Sequence, residues 1–328
     1  MLYSAGFRDH VLLEPIQQGA DSLKIVSGYA THTMASWHIK EIANQFRKPI
    51  SISLICGMCK YDGISIDVHT GFQDIIKGNG KPMGEGNNLV QSDLTCQYVY
   101  EGLPVHSKIY VWEKNGSPIC AYTGSANYTQ SAFFDNRREL LQECDPNKAL
   151  QYYETIERDS IYCNYSEIEE HITITQKHPI LNAESETKVA VQGENFQNVS
   201  LSLLTRSGDV GFGSGINWGH RRNGMKREPN QAYISLPVKV ARSGFFPLGK
   251  RHFSVITDDH KQLILRVEQQ NDKAITTPLN NSLLGEYLRG RIGVANGAFV
   301  TKQDLLNYKT DITFYKLDDE QFYMDFSK

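Results

Sequence analysis

The sequence predicts two domains, an α/β sandwich in the N-terminal half and a mostly-β pseudobarrel in the C-terminal half. Three observations predict it. The 328 residues exceed one ordinary core and suggest about two domains of ~150 residues each. Strand-like and helix-like segments alternate in the first half, the pattern of helices layered on a sheet. After a connector the helical period gives way to short strand-like runs punctuated by Gly and Pro. These observations set the boundaries at 1–176, 177–192 for the linker, and 193–328.

In the first half, Lys24–Tyr29 is a short apolar strand and His32–Phe46 has helical spacing through Met34, Trp37, Ile39, Ile42 and Phe46. Ile50–Cys56 is a strand, Gly71–Lys77 a short helix, and Lys77–Asn88 a Gly/Asn-rich loop. Cys96–Glu101, Val105–Glu113, Ser117–Thr123 and Arg138–Cys144 follow as strands. Pro146–Tyr162 reads as a helix with Asp145 as N-cap and Pro146 at its first position. In the second half, Val199–Leu204, Ala232–Val240, His252–Thr257, Gln262–Gln269, Arg291–Val294 and Ile312–Lys316 read as strands, with one short helix near Ser282–Leu288.

Composition excludes several classes. No run of 18 apolar residues offers a membrane span, and Met1–Gln18 lacks the apolar stretch of a signal peptide, so the expected location is cytoplasmic. All six cysteines lie in the first half, and Cys56-Gly-Met-Cys59 has no second pair for zinc, so buried thiols are expected and no metal or cofactor. The net charge of −3 hides an asymmetry. Residues 1–178 carry 15 basic and 21 acidic side chains, residues 179–328 carry 19 and 16, and Arg206–Arg251 carries nine and two. Such a local positive field suits a polyanion, although charge alone does not separate DNA binding from a solvated basic face.

The chemistry concentrates in His106-Ser-Lys108, Gly124-Ser125-Ala-Asn127 and Asn136-Arg-Arg-Glu139. On a strand, residues two apart share a face, so His106 and Lys108 project to one side. Pairing with the next strand brings Ser125 and Asn127 beside them. An anionic phosphodiester needs cations and donors, which Lys108 and Asn127 supply without a metal. A neutral imidazole can attack phosphorus and form a phosphohistidine, while Glu139 holds the ring in the reactive tautomer. A second His106 from a symmetry mate would supply acid and base.

This set resembles the HKD signature of the phospholipase D superfamily, HxKx(4)Dx(6)GSxN. Here Glu113 replaces the usual Asp, and ten residues rather than six precede Gly124, which fits a wider hairpin at Asn115-Gly116. The resemblance implies that His106 is the nucleophile, that Lys108, Ser125 and Asn127 bind phosphate, and that Glu139 orients His106. His38-Ile-Lys40 also matches HxK, but on a helix those side chains diverge and no GSxN follows. A single motif implies a homodimer with one active site at the two-fold axis.

The second half lacks an apolar element for a lipid surface and instead holds two polar arms, Thr205–Asn230 and Gln269–Asn281. This arrangement resembles the B3-like DNA-binding domain. First-arm candidates are Asn217, Trp218, Arg221 and Arg222. Second-arm candidates are Gln270, Asn271, Lys273, Thr276, Thr277 and Asn281. Arg289 and Arg291 are helix-end phosphate contacts or surface charges. Together the halves resemble NgoFVII-type restriction endonucleases, related in plan to the BfiI type. The resemblance implies a type II restriction endonuclease with double-stranded DNA as partner and a cognate DNA methyltransferase in the same system, not physically bound. Other readings of the residues are a non-specific phosphodiesterase of the superfamily and a non-enzymatic DNA-binding protein.

Overall fold

The computed structural model describes residues 1–79, 92–134, 137–175, 196–220 and 227–328. The chain divides into two units, Met1–Lys177 and His178–Lys328. The proposed linker at 177–192, most of the Lys77–Asn88 loop, and Asn136, Arg221 and Arg222 lie outside the described residues.

The first unit holds strands β1 (Leu2–Tyr3), β2 (Ser22–Ser27), β3 (Ser51–Cys56), β4 (Ile64–Ser65), β5 (Asp93–Val99), β6 (Ile109–Lys114), β7 (Ser117–Gly124), β8 (Leu141–Cys144), β9 (Ser160–Tyr162) and β10 (Ile174–Thr175). Its helices are α1 (Phe7–Leu12), α2 (Glu14–Gln17), α3 (His32–Phe46), α4 (Cys59–Asp62), α5 (Ile66–Lys77), α6 (Gln130–Phe133), α7 (Pro146–Arg158) and α8 (Ile168–His171). Eight strands form one sheet in the order β1-β8-β7-β6-β2-β3-β5-β9, parallel at β2/β3 and β3/β5 and antiparallel elsewhere.

Helix α7 starts on Asp145, whose carboxylate accepts from the amides of Asn147 and Lys148, with Pro146 in the first turn, as its sequence predicts. Its inner stripe, Ala149, Tyr153 and Ile156, packs on Val26, Ile55, Val111 and Ala121. Helices α1 and α3 cover the opposite face, where Trp112 Nε1 donates to the Val11 carbonyl at 2.7 Å and the His38 and Trp112 rings meet edge-on. The β6–β7 hairpin turns on Asn115 and Gly116, both at left-handed φ (50° and 74°), the conformation an Asn-Gly pair favours. Four of the six cysteines are buried, and none is in a disulfide.

The second unit holds β11 (Asn198–Ser202), β12 (Ile234–Ser235), β13 (His252–Thr257), β14 (Gln262–Glu268), β15 (Ala274–Thr276), β16 (Asp311–Lys316) and β17 (Gln321–Asp325), with helices α9 (Val238–Ala241), α10 (Ser282–Ile292) and α11 (Lys302–Asn307). The sheet runs β11-β16-β17-β13-β14-β15-β12, parallel only at β13/β17, and its edge strands β11 and β12 approach each other, so the barrel is nearly closed. Phe246 centres its core, 5.3 Å from the Phe314 and Phe322 rings and 5.5 Å from Phe253. Each buried ring contributes roughly 1.5–3 kcal/mol through removal from water.

Several boundaries differ from the sequence expectation. Strand β6 starts at Ile109, so His106 and Lys108 lie in an extended lead-in, and β8 starts at Leu141, beyond Glu139. Helix α5 extends back to Ile66. The expected strand Ala232–Val240 is only β12, because Pro237 has no amide to donate and caps α9 instead. The expected strand Arg291–Val294 is the end of α10, closed by Gly293 at φ 82°. Strand β17 was not expected.

His38, the chance HxK match, is fully buried, with Nδ1 2.9 Å from the Tyr128 hydroxyl and Nε2 3.0 Å from the Leu12 carbonyl oxygen. Burial pushes its pKa down from 6.5 to about 4, against a smaller upward effect of the Leu12 carbonyl. The unfolded imidazole takes up a proton below about 6.5, the folded one not until about 4. Its contribution is therefore complete above pH 6.5 and is lost as pH falls towards 4, by on the order of 3 kcal/mol. Urea unfolding of the first unit across that window should show a shallower loss in His38→Gln than in wild type. Parallel losses would count against a neutral His38.

Candidate active site and DNA-binding surface

The pairing register builds the site. Val26 pairs with Ile109, Ile109 with Thr123, and Gly124 with Leu141. The segments leaving β2 and β7 and those entering β6 and β8 therefore emerge at one end of the sheet. These segments carry Ser27-Gly28-Tyr29, Ser125-Ala-Asn127, His106-Ser-Lys108 and Glu139. Side chains lock them together. Tyr110 donates to the Ala126 carbonyl at 2.8 Å, Thr123 Oγ1 to the Lys108 carbonyl at 3.0 Å, and the Tyr128 amide to Ser27 Oγ at 2.9 Å.

His106 is exposed and Lys108 is buried beneath it. Lys108 Nζ lies 3.1 Å from both His106 ring nitrogens and donates to the His106 carbonyl. Burial lowers the Lys108 pKa, and the nearby Glu139 carboxylate opposes that shift. Asn127 Oδ1 accepts from the Tyr29 amide at 3.1 Å and from Ser27 Oγ at 3.3 Å. An amide donor on Oδ1 fixes the orientation of the carboxamide, so Nδ2 is the end left to donate outward.

Glu139 does not bond His106 here. It accepts the Ser125 hydroxyl proton, while Ser125 Oγ accepts the Leu140 amide at 3.0 Å. Ser125 thus holds the carboxylate in place. Glu113, at the acidic position of the signature, is buried away from the site and accepts from Ser22 Oγ at 3.3 Å.

Sequence reasoning missed Ser27, Gly28 and Tyr29. Tyr29 meets the His106 ring edge-on at 6.0 Å, and its hydroxyl donates to Asp62. A Cβ on Gly28 would stand 3.1 Å from His106 Cδ2 and 3.5 Å from Asn127 Oδ1, so a side chain there would press the imidazole aside by a few tenths of an ångström. The available signal was a Ser-Gly pair at the carboxyl end of an apolar strand, where crevices open in α/β sheets.

In the second unit the candidates separate. Gln270, Asn271 and Lys273 are exposed on the β14–β15 connection, where Gln269, Asn271 and Asp272 all hold left-handed φ. Trp218 is half-buried, edge-on to Tyr233 at 5.6 Å, with the Arg227 guanidinium 4.4 Å above its ring. Four candidates are corrected to structural roles. Asn217 is fully buried, its amide donating to the Val300 carbonyl at 2.8 Å and accepting the Val300 amide at 2.9 Å. Thr276 is buried and donates to Glu268 at 3.2 Å. Thr277 is buried and donates to the Asn280 carbonyl at 2.7 Å. Asn281 is half-buried at the start of α10, its carbonyl accepting the Ala232 amide and its Oδ1 shut away from solvent. Arg289 and Arg291 are not free to reach phosphate either. Arg289 is fully buried, and Arg291 pairs with Asp258 at 2.6 Å and Asp259 at 3.1 Å.

Comparison with known proteins agrees with this division. The profile of the NgoFVII restriction endonuclease N-terminal PLD domain matches residues 6–170, and that of the NgoFVII C-terminal B3-like DNA-binding domain matches residues 191–318. Among solved structures, NucT from Helicobacter pylori is similar over 49% of this chain and 97% of its own, at 18% identity and TM-score 0.31. Nuc from Salmonella typhimurium, a phospholipase D family member, is similar over the same shares, at 13% identity and TM-score 0.30. No curated protein matches the chain significantly.

Gly28→Ala tests the close approach at His106. The added methyl must displace the ring by a few tenths of an ångström. Because reactivity falls steeply with misplacement, cleavage should slow by about tenfold or more. DNA affinity in a gel-shift assay should stay within twofold or so of wild type, since one methyl at the sheet end alters few DNA contacts. An unaltered cleavage rate would remove the geometric role of Gly28.

Proposed function

The chain belongs to the NgoFVII restriction endonuclease family, and on that premise we propose that it cuts DNA without a metal ion, through a phosphohistidine formed on His106. Membership makes it a site-specific nuclease, a PLD domain joined to a B3-like DNA-binding domain, with DNA as partner. The observation that carries the mechanism is the exposed imidazole of His106 against the buried ammonium of Lys108.

In this reading Lys108 Nζ and Asn127 Nδ2 donate to the non-bridging phosphate oxygens, where negative charge builds as phosphorus becomes five-coordinate. One His106 ring nitrogen attacks phosphorus, and the bond to one bridging oxygen breaks. With Lys108 drawn to the phosphate, Glu139 takes the other ring N–H and stabilises the positive charge the imidazole gains. Ser125 keeps Glu139 at the right height. The departing oxygen needs a proton, and water must later be deprotonated to attack the phosphohistidine.

A second His106 supplies both, first as acid and then as base, so the active unit is a homodimer formed through the catalytic domain. Leu103 and Leu140 support this. They stand three residues and one residue from His106 and Glu139 and are 83% and 50% exposed, apolar groups that a second copy of the chain would cover. The domain limits at 1–176 and 193–328, the cytoplasmic location and the companion methyltransferase belong to the same proposal. No helix of the described residues is long and apolar enough to cross a membrane.

The deciding experiment is plasmid cleavage in excess EDTA, which should proceed at the full rate, with His106→Ala lacking cleavage yet retarding the same DNA in a gel. If EDTA stops the reaction and Mg²⁺ restores it, the mechanism is wrong. Premixing wild type with excess His106→Ala should reduce activity in proportion to mixed dimers. Undiminished activity per wild-type chain would argue for a monomer. The lowered Lys108 pKa sets the alkaline limb. Only the ammonium serves, so the rate should fall at a pH below the ~10.4 of free lysine, and a plateau persisting past that value would exclude Lys108 as the required cation.

A further inference from the structure

Arg289 is among the largest fully buried side chains of the second unit, and its hydrogen bonds go to backbone carbonyls. Nε donates to Ala298 at 2.9 Å, Nη1 to Gly285 at 3.3 Å, and Nη2 to both Ile216 at 3.2 Å and Pro229 at 3.4 Å. A buried cation without a bonded carboxylate is costly, and carbonyls alone do not require one. What the guanidinium adds is reach. One nitrogen holds Ile216 and Pro229 together, and these two residues are the feet of the segment that carries Trp218 and Arg227, whose guanidinium lies 4.4 Å above the Trp218 ring.

The same helix, α10, grips those feet elsewhere. Ser282 Oγ donates to Glu228 Oε2, which also accepts the Asn230 amide at 2.7 Å. At Gly285 a Cβ would sit 1.7 Å from the Asn230 carbonyl oxygen, so the helix lies directly on the returning chain of the segment. The start of α10 is also the end of the second arm, where the Asn281 carbonyl accepts the Ala232 amide at 3.2 Å. A single helix therefore fixes where both polar arms leave the barrel.

We propose that Arg289 is a positioning residue for sequence recognition: by joining both feet of the first arm to α10, it sets the spacing of the two arms over the duplex. This rests on the reading of the second unit as the DNA-recognising domain. Base contacts depend on such spacing more steeply than phosphate contacts, because edge-to-edge hydrogen bonds are directional and charge attraction is not. Loss of the clamp should therefore blunt discrimination more than general affinity.

The test uses the full chain and a pool of duplexes with a randomised core, sequenced after binding. Arg289→Lys keeps the charge but cannot span carbonyls in three directions. Its ratio of preferred-site to random-duplex affinity should fall at least about tenfold, the value of one bidentate base contact, with a cooperative melt retained. An unchanged ratio in a folded Arg289→Lys protein overturns the proposal, as does an equal fall in both affinities. If Arg289→Lys does not melt cooperatively, Ser282→Ala decides. It removes one bond of the same clamp and should lower the ratio by about threefold; an unchanged ratio there also overturns it. A wild type that enriches no sequence would instead overturn the reading of the domain itself.

Discussion

Antiparallel pairing of β6 with both β2 and β7 is the constraint on which the first unit's chemistry depends. A one-residue slip between β6 and β7 would part His106 and Lys108 from Ser125 and Asn127, and one between β6 and β2 would carry Ser27 and Gly28 away from them. Ile109 and Val111 pack on the α7 side and Tyr110 and Trp112 are buried on the other, and this packing resists a slip that would exchange the two sets. Packing far from the reacting atoms therefore decides whether an imidazole, an ammonium, a carboxamide and a carboxylate meet. The bonds closing around Ser27 and Tyr110 then trim the geometry by fractions of an ångström.

The second unit solves a different problem. Its sheet is a scaffold for segments with little regular structure, and irregular backbone has unsatisfied carbonyls and amides that must find partners. Asn217 and Asn230 reach from the first arm to Val300 and Gly297, and Arg289 reaches from α10 to Ile216 and Pro229. The exposed Gln270, Asn271 and Lys273 stand on a comparable base, with the paired strands β14 and β15 beneath them.

Much of this was legible in the sequence, for identifiable reasons. The Asp145-Pro146 start and the Asn115-Gly116 turn are local signals, and both act where they stand. The HxK and GSxN segments could be joined because one hairpin separates them. Misreadings arose where a polar side chain turns inward to a partner within its own unit. Asn217 resembles a base-reading asparagine until Val300 is found against it. Thr276 and Thr277 look like arm residues, yet their hydroxyls face Glu268 and Asn280. Strand β17 is buried along its whole length between two neighbours, so it shows no alternation to read. Ser27 and Gly28 matter through what approaches them from other strands, which no local pattern encodes.

The position of β17 also governs how the sheet of the second unit closes. It lies between β16 and β13, and no other strand joins them. A growing chain that has emerged as far as Lys316 holds β13-β14-β15 and β11-β16 as separate fragments with open edges, and the barrel has no middle. Helix α10 then has no finished floor to rest on. Loss of this one strand would therefore cost the sheet its continuity and not merely an edge.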